Sequence, residues 1–161
     1  MGGPRERVLH DFYSKEAKRL GYPARSAFKL LEVQQKFKVI PKAGSVLDLG
    51  CHPGAWLQVV CQSLGPAQHG GAVLGVDLQP TTAPPKHCDE RVSIWQMDAR
   101  DLTSSTLRQF NPKGFHAVLS DMCHPTSGNA TRDALQSVGL QQLALEVAIG
   151  RADDSLEDVS E

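Results

Sequence analysis

Long hydrophobic runs are missing from these 161 residues. None approaches the ~18 consecutive apolar residues of a membrane-spanning helix, so no stretch reads as one. The opening Met1-Gly2-Gly3-Pro4-Arg5-Glu6-Arg7 lacks the apolar segment of a signal peptide, and its early acids argue against a transit peptide. Cysteine is sparse: Cys51, Cys61, Cys88 and Cys123 form no Cys-x-x-Cys pair and no disulfide framework. Internal repeats are absent, which removes solenoids and propellers. Composition is otherwise ordinary, with 40% apolar and 22% charged residues, which leaves no room for a collagen, a coiled coil or a wholly disordered chain. What remains is one globular unit with a single core and reduced thiols, expected inside the cell, in the cytoplasm first and in the nucleus or an organelle as alternatives.

A net charge of −1 conceals a strong polarity. Residues 1–43 hold ten Lys/Arg against four Asp/Glu, whereas residues 44–161 hold seven against fourteen. The last nine residues carry five acids and no base. A basic head suits a polyanion, because each cation that neutralises a phosphate releases condensed counterions. A merely solvated helix face would carry the same charges.

Three regions follow from this texture. Residues 1–43 read as a basic helical extension, with helices over 11–20 (closed by Gly21) and over 26–38 (stopped by Pro41). Residues 44–150 alternate short apolar strands (45–49, 72–78, 92–97, 115–120) with helices over 55–64, 103–110 and 131–149, the last interrupted at Gly139. Residues 151–161 form an acidic tail expected to be disordered. Strands alternating with helices predict an α/β fold, a mostly parallel sheet covered on both faces. Ligands of such sheets sit beyond the carboxyl ends of the strands.

Those ends carry a theme. Asp48 lies in the first strand, ahead of Gly50-Cys51-His52-Pro53-Gly54-Ala55-Trp56, and the next three strands end at Asp77, Asp98 and Asp121. Carboxylates are costly to gather on one rim without partners. The glycine loop lacks the Gly-x-Gly-x-x-Gly spacing of a dinucleotide site, and Asp48 beside it would repel a pyrophosphate. An ammonium end, a ribose for Asp77 and a purine edge together describe S-adenosyl-L-methionine, with NAD as the competitor. Each Asp taken singly could equally be a turn former or helix cap.

Arg25-Ser26-Ala27-Phe28-Lys29-Leu30-Leu31-Glu32, then Val46-Leu47-Asp48-Leu49-Gly50-Cys51-His52-Pro53-Gly54-Ala55-Trp56, then Leu119-Ser120-Asp121-Met122 with Ser127-Gly128, in that order, resemble the FtsJ (RrmJ) family of RNA 2′-O-ribose methyltransferases, and its plant branch most. The likeness covers about residues 11–150. It implies a Rossmann-like methyltransferase sheet that uses S-adenosyl-L-methionine and acts on RNA, ribosomal RNA first. It further implies that Gly54 and Trp56, with Asp48 and Gly50, belong to the cofactor loop. Asp77 would take the cofactor ribose, Asp98 the adenine amino group, and Asp121 both cofactor and catalysis. Lys29 matches the first lysine of the family's Lys-Asp-Lys-Glu set, and Asp121 its second member. Arg25, Lys36 and Lys38 would hold RNA phosphates.

The same likeness implies further strands, a second lysine and a glutamate, which no residue here matches. The fourth strand is therefore expected at a sheet edge, and a catalytically inactive cofactor- or RNA-binding protein is the alternative function. A small-molecule methyltransferase is disfavoured by the basic head and by Lys29 in its motif. The Cys51-His52, His87-Cys88 and Cys123-His124 pairs match no zinc spacing, so no metal is expected. Trp95, Met97 and Met122 are expected in the core and walls.

Overall fold

The computed structural model describes residues 4–123 and 127–150, with side chains from Phe12 onward. His124 and the acidic segment 151–161 lie outside the described residues. In chain order the elements are α1 (Pro4–Leu20), α2 (Ala27–Phe37), β1 (Ser45–Leu49), α3 (Ala55–Leu64), β2 (Ala72–Asp77), β3 (Val92–Gln96), α4 (Ser104–Phe110), β4 (Ala117–Ser120) and α5 (Ala130–Ile149). Single 3-10 turns occur at Ala67–His69 and Ala99–Asp101.

The four strands form one parallel sheet in the order β3-β2-β1-β4. Leu47 stands opposite Leu74 on one side and Val118 on the other. The chain steps outward from β1 to β3 and then returns to the far side of β1. This places the switch point between β1 and β4, where such sheets receive ligands. Among the described residues β4 is an edge strand, as expected.

β1 is buried along its whole length, which explains its continuous apolar sequence. Its alternate residues feed two cores. Val46 joins Leu57, Val60 and Leu64 of α3 and Ala27 and Leu30 of α2. Leu47 and Leu49 face Leu102, Leu107, Phe110 and Val147, under α4 and α5. Burying each of these Val or Leu side chains contributes about 1.5–3 kcal/mol. The helices thus cover both faces, and the sheet is the predicted Rossmann-like one. Trp95, Met97 and Met122 pack against the second core as expected.

The N-terminal helices are fastened to this body. Gly21, at φ 83°, ends α1. Its N–H donates to the Lys18 carbonyl and that of Tyr22 to the Ala17 carbonyl, the paired bonds of a glycine helix stop. Ala17, Tyr22, Ala27, Leu30 and Ile40 are buried in the same core as Val46. Buried Gln58 of α3 donates from Nε2 to the Gly21 carbonyl (3.1 Å) and the Lys86 carbonyl (2.6 Å). It joins the N-terminal turn, α3 and the loop before β3.

Several boundaries differ from the sequence expectation. α1 begins at Pro4 rather than near residue 11; proline is well tolerated in a helix's first turn. α5 runs unbroken through Gly139, whose cost of about 1 kcal/mol a leucine- and alanine-bearing helix absorbs. β2 and β3 stop at Asp77 and Gln96. β4 starts at Ala117 rather than at Phe115, whose ring stacks on Phe110 with centroids 6.0 Å apart.

Candidate active site

Parallel pairing brings Leu49, Val76 and Ser120 level, so the residues that follow them converge beyond the sheet. Gly50, at φ 81°, turns the chain out of β1, and its N–H donates to the Val76 carbonyl at 2.8 Å. A side chain there would run into Met122, 2.8 Å from the position of its first carbon. Gly54, at φ 98°, caps α3 and leaves that helix's first-turn N–H groups without intrahelical partners. Pro84 would stand 2.6 Å from a side-chain carbon at Gly54. Both glycines are therefore required by close approach as well as by dihedral angle.

Three carboxylates meet around this loop. Asp48 is fully buried, and neither of its oxygens has a hydrogen-bond partner. Burial pushes its carboxyl up to about 8, and the nearby Asp121 and Asp77 carboxylates push in the same direction. Asp77, half-buried, accepts the His52 N–H at Oδ2 (2.9 Å) and the Gln79 N–H at Oδ1 (2.8 Å), which fixes it between the β1 and β2 loops. Asp121 accepts from Lys29 Nζ at 2.9 Å, so α2 is tied to the end of β4. The site is an anionic cluster with one cation at its outer side.

A family model described as FtsJ-like methyltransferase matches residues 22–155. The chain belongs to the FtsJ-like methyltransferase family. Membership assigns it to the methyltransferases. It is 40% identical over 149 residues to the ribosomal RNA large subunit methyltransferase E of Desulforapulum autotrophicum, covering 91% of this chain and 69% of that protein. The protein of the same name from Desulfatibacillum aliphaticivorans is 40% identical over 142 residues, covering 88% of this chain and 65% of that one. The chain thus spans about two thirds of the length of these relatives. A Plasmodium falciparum protein described as a ribosomal RNA methyltransferase superposes with a TM-score of 0.64 at 25% identity, over 77% of this chain and 68% of that one.

The donor set suits the cofactor of an FtsJ-like enzyme. Two orphaned carboxylate oxygens on Asp48, with Asp77 and Asp121 beside them, form a cluster that a cationic nucleoside relieves and a pyrophosphate aggravates. Asp48 lies beneath the loop at 0% exposure, out of a ligand's direct reach, while Asp77 and Asp121 are half-buried.

Other sequence-marked residues have engagements of their own. Trp56 spends its indole N–H on the Ser26 carbonyl (2.9 Å), bolting α3 to the start of α2; only its ring is left for a ligand. Asp98 is gripped by Arg100, whose Nη2 lies 2.6 Å from Oδ2, and it also caps the Arg100 backbone N–H. The Arg100 guanidinium and backbone N–H hold the Asp98 carboxyl below the ordinary carboxylate range. Ser127 serves α5 rather than the site, donating to Asp133. Arg25 lies beside Lys29, whereas exposed Lys36 and Lys38 stand at the far end of α2, with Lys36 Nζ 5.1 Å from the centre of the Phe37 ring. His52 turns outward, its Nδ1 3.1 Å from Thr81 Oγ1. Cys51 is buried, and burial with Asp48 and Asp77 pushes its thiol up to about 12. Among the described residues no three His, Cys, Asp or Glu side chains are grouped to hold a metal, and no helix is long and apolar enough to cross a membrane.

Two features escaped sequence reasoning. Gln58 reads as an ordinary helix position. The aromatic pair Tyr13 and Phe28, with ring centroids 5.7 Å apart, lies fifteen positions apart in sequence and meets only when α1 folds against α2.

Proposed function

We propose that this chain transfers a methyl group from S-adenosyl-L-methionine to the ribose 2′-hydroxyl of RNA, with ribosomal RNA as the substrate class. One observation carries the reading: Asp121 stands in the carboxylate cluster beside Asp48 and is also the ion-pair partner of Lys29 on the basic N-terminal face. A single side chain therefore joins the cofactor end of the site to its polyanion end.

S-adenosyl-L-methionine supplies an electrophilic methyl carbon. Asp77 and Asp121 receive the nucleoside's donors, and Gly54 with the first turn of α3 leaves backbone N–H groups for its carboxylate. Lys29 has three N–H donors, one of them held by Asp121. The other two can hold a 2′-oxygen and stabilise the charge that grows on it as its proton passes to solvent water. Asp121 keeps Nζ aimed. Arg25, Lys36 and Lys38 hold phosphates and position the strand. Ribosomal RNA as substrate puts the protein at work inside the cell, in the cytoplasm first.

The test is transfer of tritiated methyl to unmodified ribosomal RNA, followed by digestion to nucleosides. Label in a 2′-O-methyl nucleoside supports the reading, and label in a methylated base contradicts it. Saturable cofactor binding without any transfer favours the alternative, a cofactor- and RNA-binding protein that does not catalyse.

A further inference from the structure

α1, α2 and the turn between them line a cleft of about 320 Å³ formed by Tyr13, Arg25, Ser26, Phe28, Lys29 and Glu32. Its size falls within the range of about 300–1,000 Å³ that small-molecule sites occupy. Its chemistry is unusual for a basic surface. Tyr13 is 44% exposed and backed by Phe28 (ring centroids 5.7 Å apart), which in turn rests on Tyr22. Phe12, 60% exposed, meets the Tyr13 ring edge-on at 5.6 Å. Aromatic rings left open to water on a cationic face are what single-stranded nucleic acid uses as stacking platforms. The rings touch one another, so a base stacks on the open face of Tyr13 and not between the two.

The lining also carries two charged side chains besides Lys29. Arg25 and Glu32 are both exposed, and neither has an ion-pair partner among the described residues. A carboxylate is an odd choice for a surface that holds phosphates, unless it reads a base. Carboxylates only accept hydrogen bonds. Guanine alone presents two adjacent donors, N1–H and the N2 amino group, on its pairing edge. Uracil offers one N–H between two carbonyls, while adenine and cytosine each set an acceptor nitrogen beside their amino group. Sequence-specific recognition of RNA commonly takes such unstacked bases from single-stranded segments.

We propose that the cleft between α1 and α2 receives an unpaired guanine of the RNA, stacked on Tyr13 and read by Glu32, with Arg25 on the adjoining phosphate. The inference rests on the RNA reading above and adds to it a base preference next to Lys29. It makes Tyr13 and Glu32 substrate-selecting residues.

The test uses the intact chain and short single-stranded oligouridines carrying one guanosine, one inosine or neither, with affinities read by fluorescence anisotropy. Inosine keeps N1–H and lacks the N2 amino group. The guanosine oligomer binds tightest, inosine next and plain oligouridine weakest. Tyr13→Ala weakens binding of the guanosine oligomer about tenfold or more. Glu32→Gln brings the guanosine and inosine oligomers together. Both side chains are exposed, and a calorimetric titration of S-adenosyl-L-methionine into each variant, matching wild type, shows that the variants are folded. Equal affinities for the three oligomers, with salt-dependent binding intact, overturn the guanine cleft and leave the RNA reading standing. So does a Tyr13→Ala protein that binds as wild type does. Failure of every oligomer and of ribosomal RNA to bind overturns both.

Discussion

Lys29 Nζ lies 2.9 Å from Asp121 Oδ1, an ion pair across ninety-two positions of sequence. It is exposed on the lysine side, at 67%, so its contribution to stability is small. Its value is positional, because it fixes the amine where the basic face meets the carboxylate cluster. Lys29→Ala is therefore expected to reduce methyl transfer by about 10²–10³-fold, the usual loss for one aimed donor at a developing oxyanion. Its melting temperature and cofactor affinity should match wild type. Single-turnover transfer alongside a cofactor titration separates the two effects.

Asp48 makes stability depend on pH in an unusual direction. Its carboxyl stands at about 8 in the folded chain against an ordinary 3.8. Between those values the unfolded chain has released a proton that the folded chain keeps, so stability falls as pH rises from about 4 to about 8. Asp48→Asn removes that slope, and denaturant melts across this range check it. A cationic ligand favours the ionised form, so cofactor binding near neutral pH should release a proton. Calorimetry in buffers of different ionisation enthalpy counts it.

RNA affinity should fall steeply with salt. Arg25, Lys36 and Lys38 are exposed, and none has an ion-pair partner among the described residues. Replacing all three by Gln should lower the slope of log affinity against log salt by about 2, at ~0.7 per single-strand phosphate contact. Anisotropy titrations over a range of salt concentrations measure it, and an unchanged slope removes these side chains from the interface.

Gly139 gives a clean stability measurement. It sits inside α5, and a side-chain carbon there would meet nothing within 4 Å. Gly139→Ala should stabilise the fold by about 0.5–1 kcal/mol through helix propensity alone. The equivalent change at Gly54 should destabilise it, since Pro84 occupies the space and φ is 98°. Paired thermal melts compare them.

Much of the sheet was legible because burial on both faces writes itself as an apolar run. β1 and α3 fall at their expected limits, and Thr103 caps α4 with a reciprocal Thr106 bond. What local pattern cannot express was missed. Gly139 looks like a break because propensity is read one residue at a time, whereas α5 keeps Val147 in the second core and its Asn129 cap. The position of the acids at the strand ends was legible and their company was not. Nothing local tells that Asp48 is left without a partner or that Trp56 spends its N–H on Ser26. The Tyr13 and Phe28 cleft depends on how two helices meet across the Gly21 turn.

Titration of S-adenosyl-L-methionine into the wild-type chain and into Asp77→Ala tests the carboxylate cluster most directly. A single saturable site in the wild type, weakened by about 1–3 kcal/mol in the variant, is the predicted result for loss of charge-assisted hydrogen bonds to the nucleoside. No saturable heat in the wild type, or equal affinity in both proteins, would contradict it.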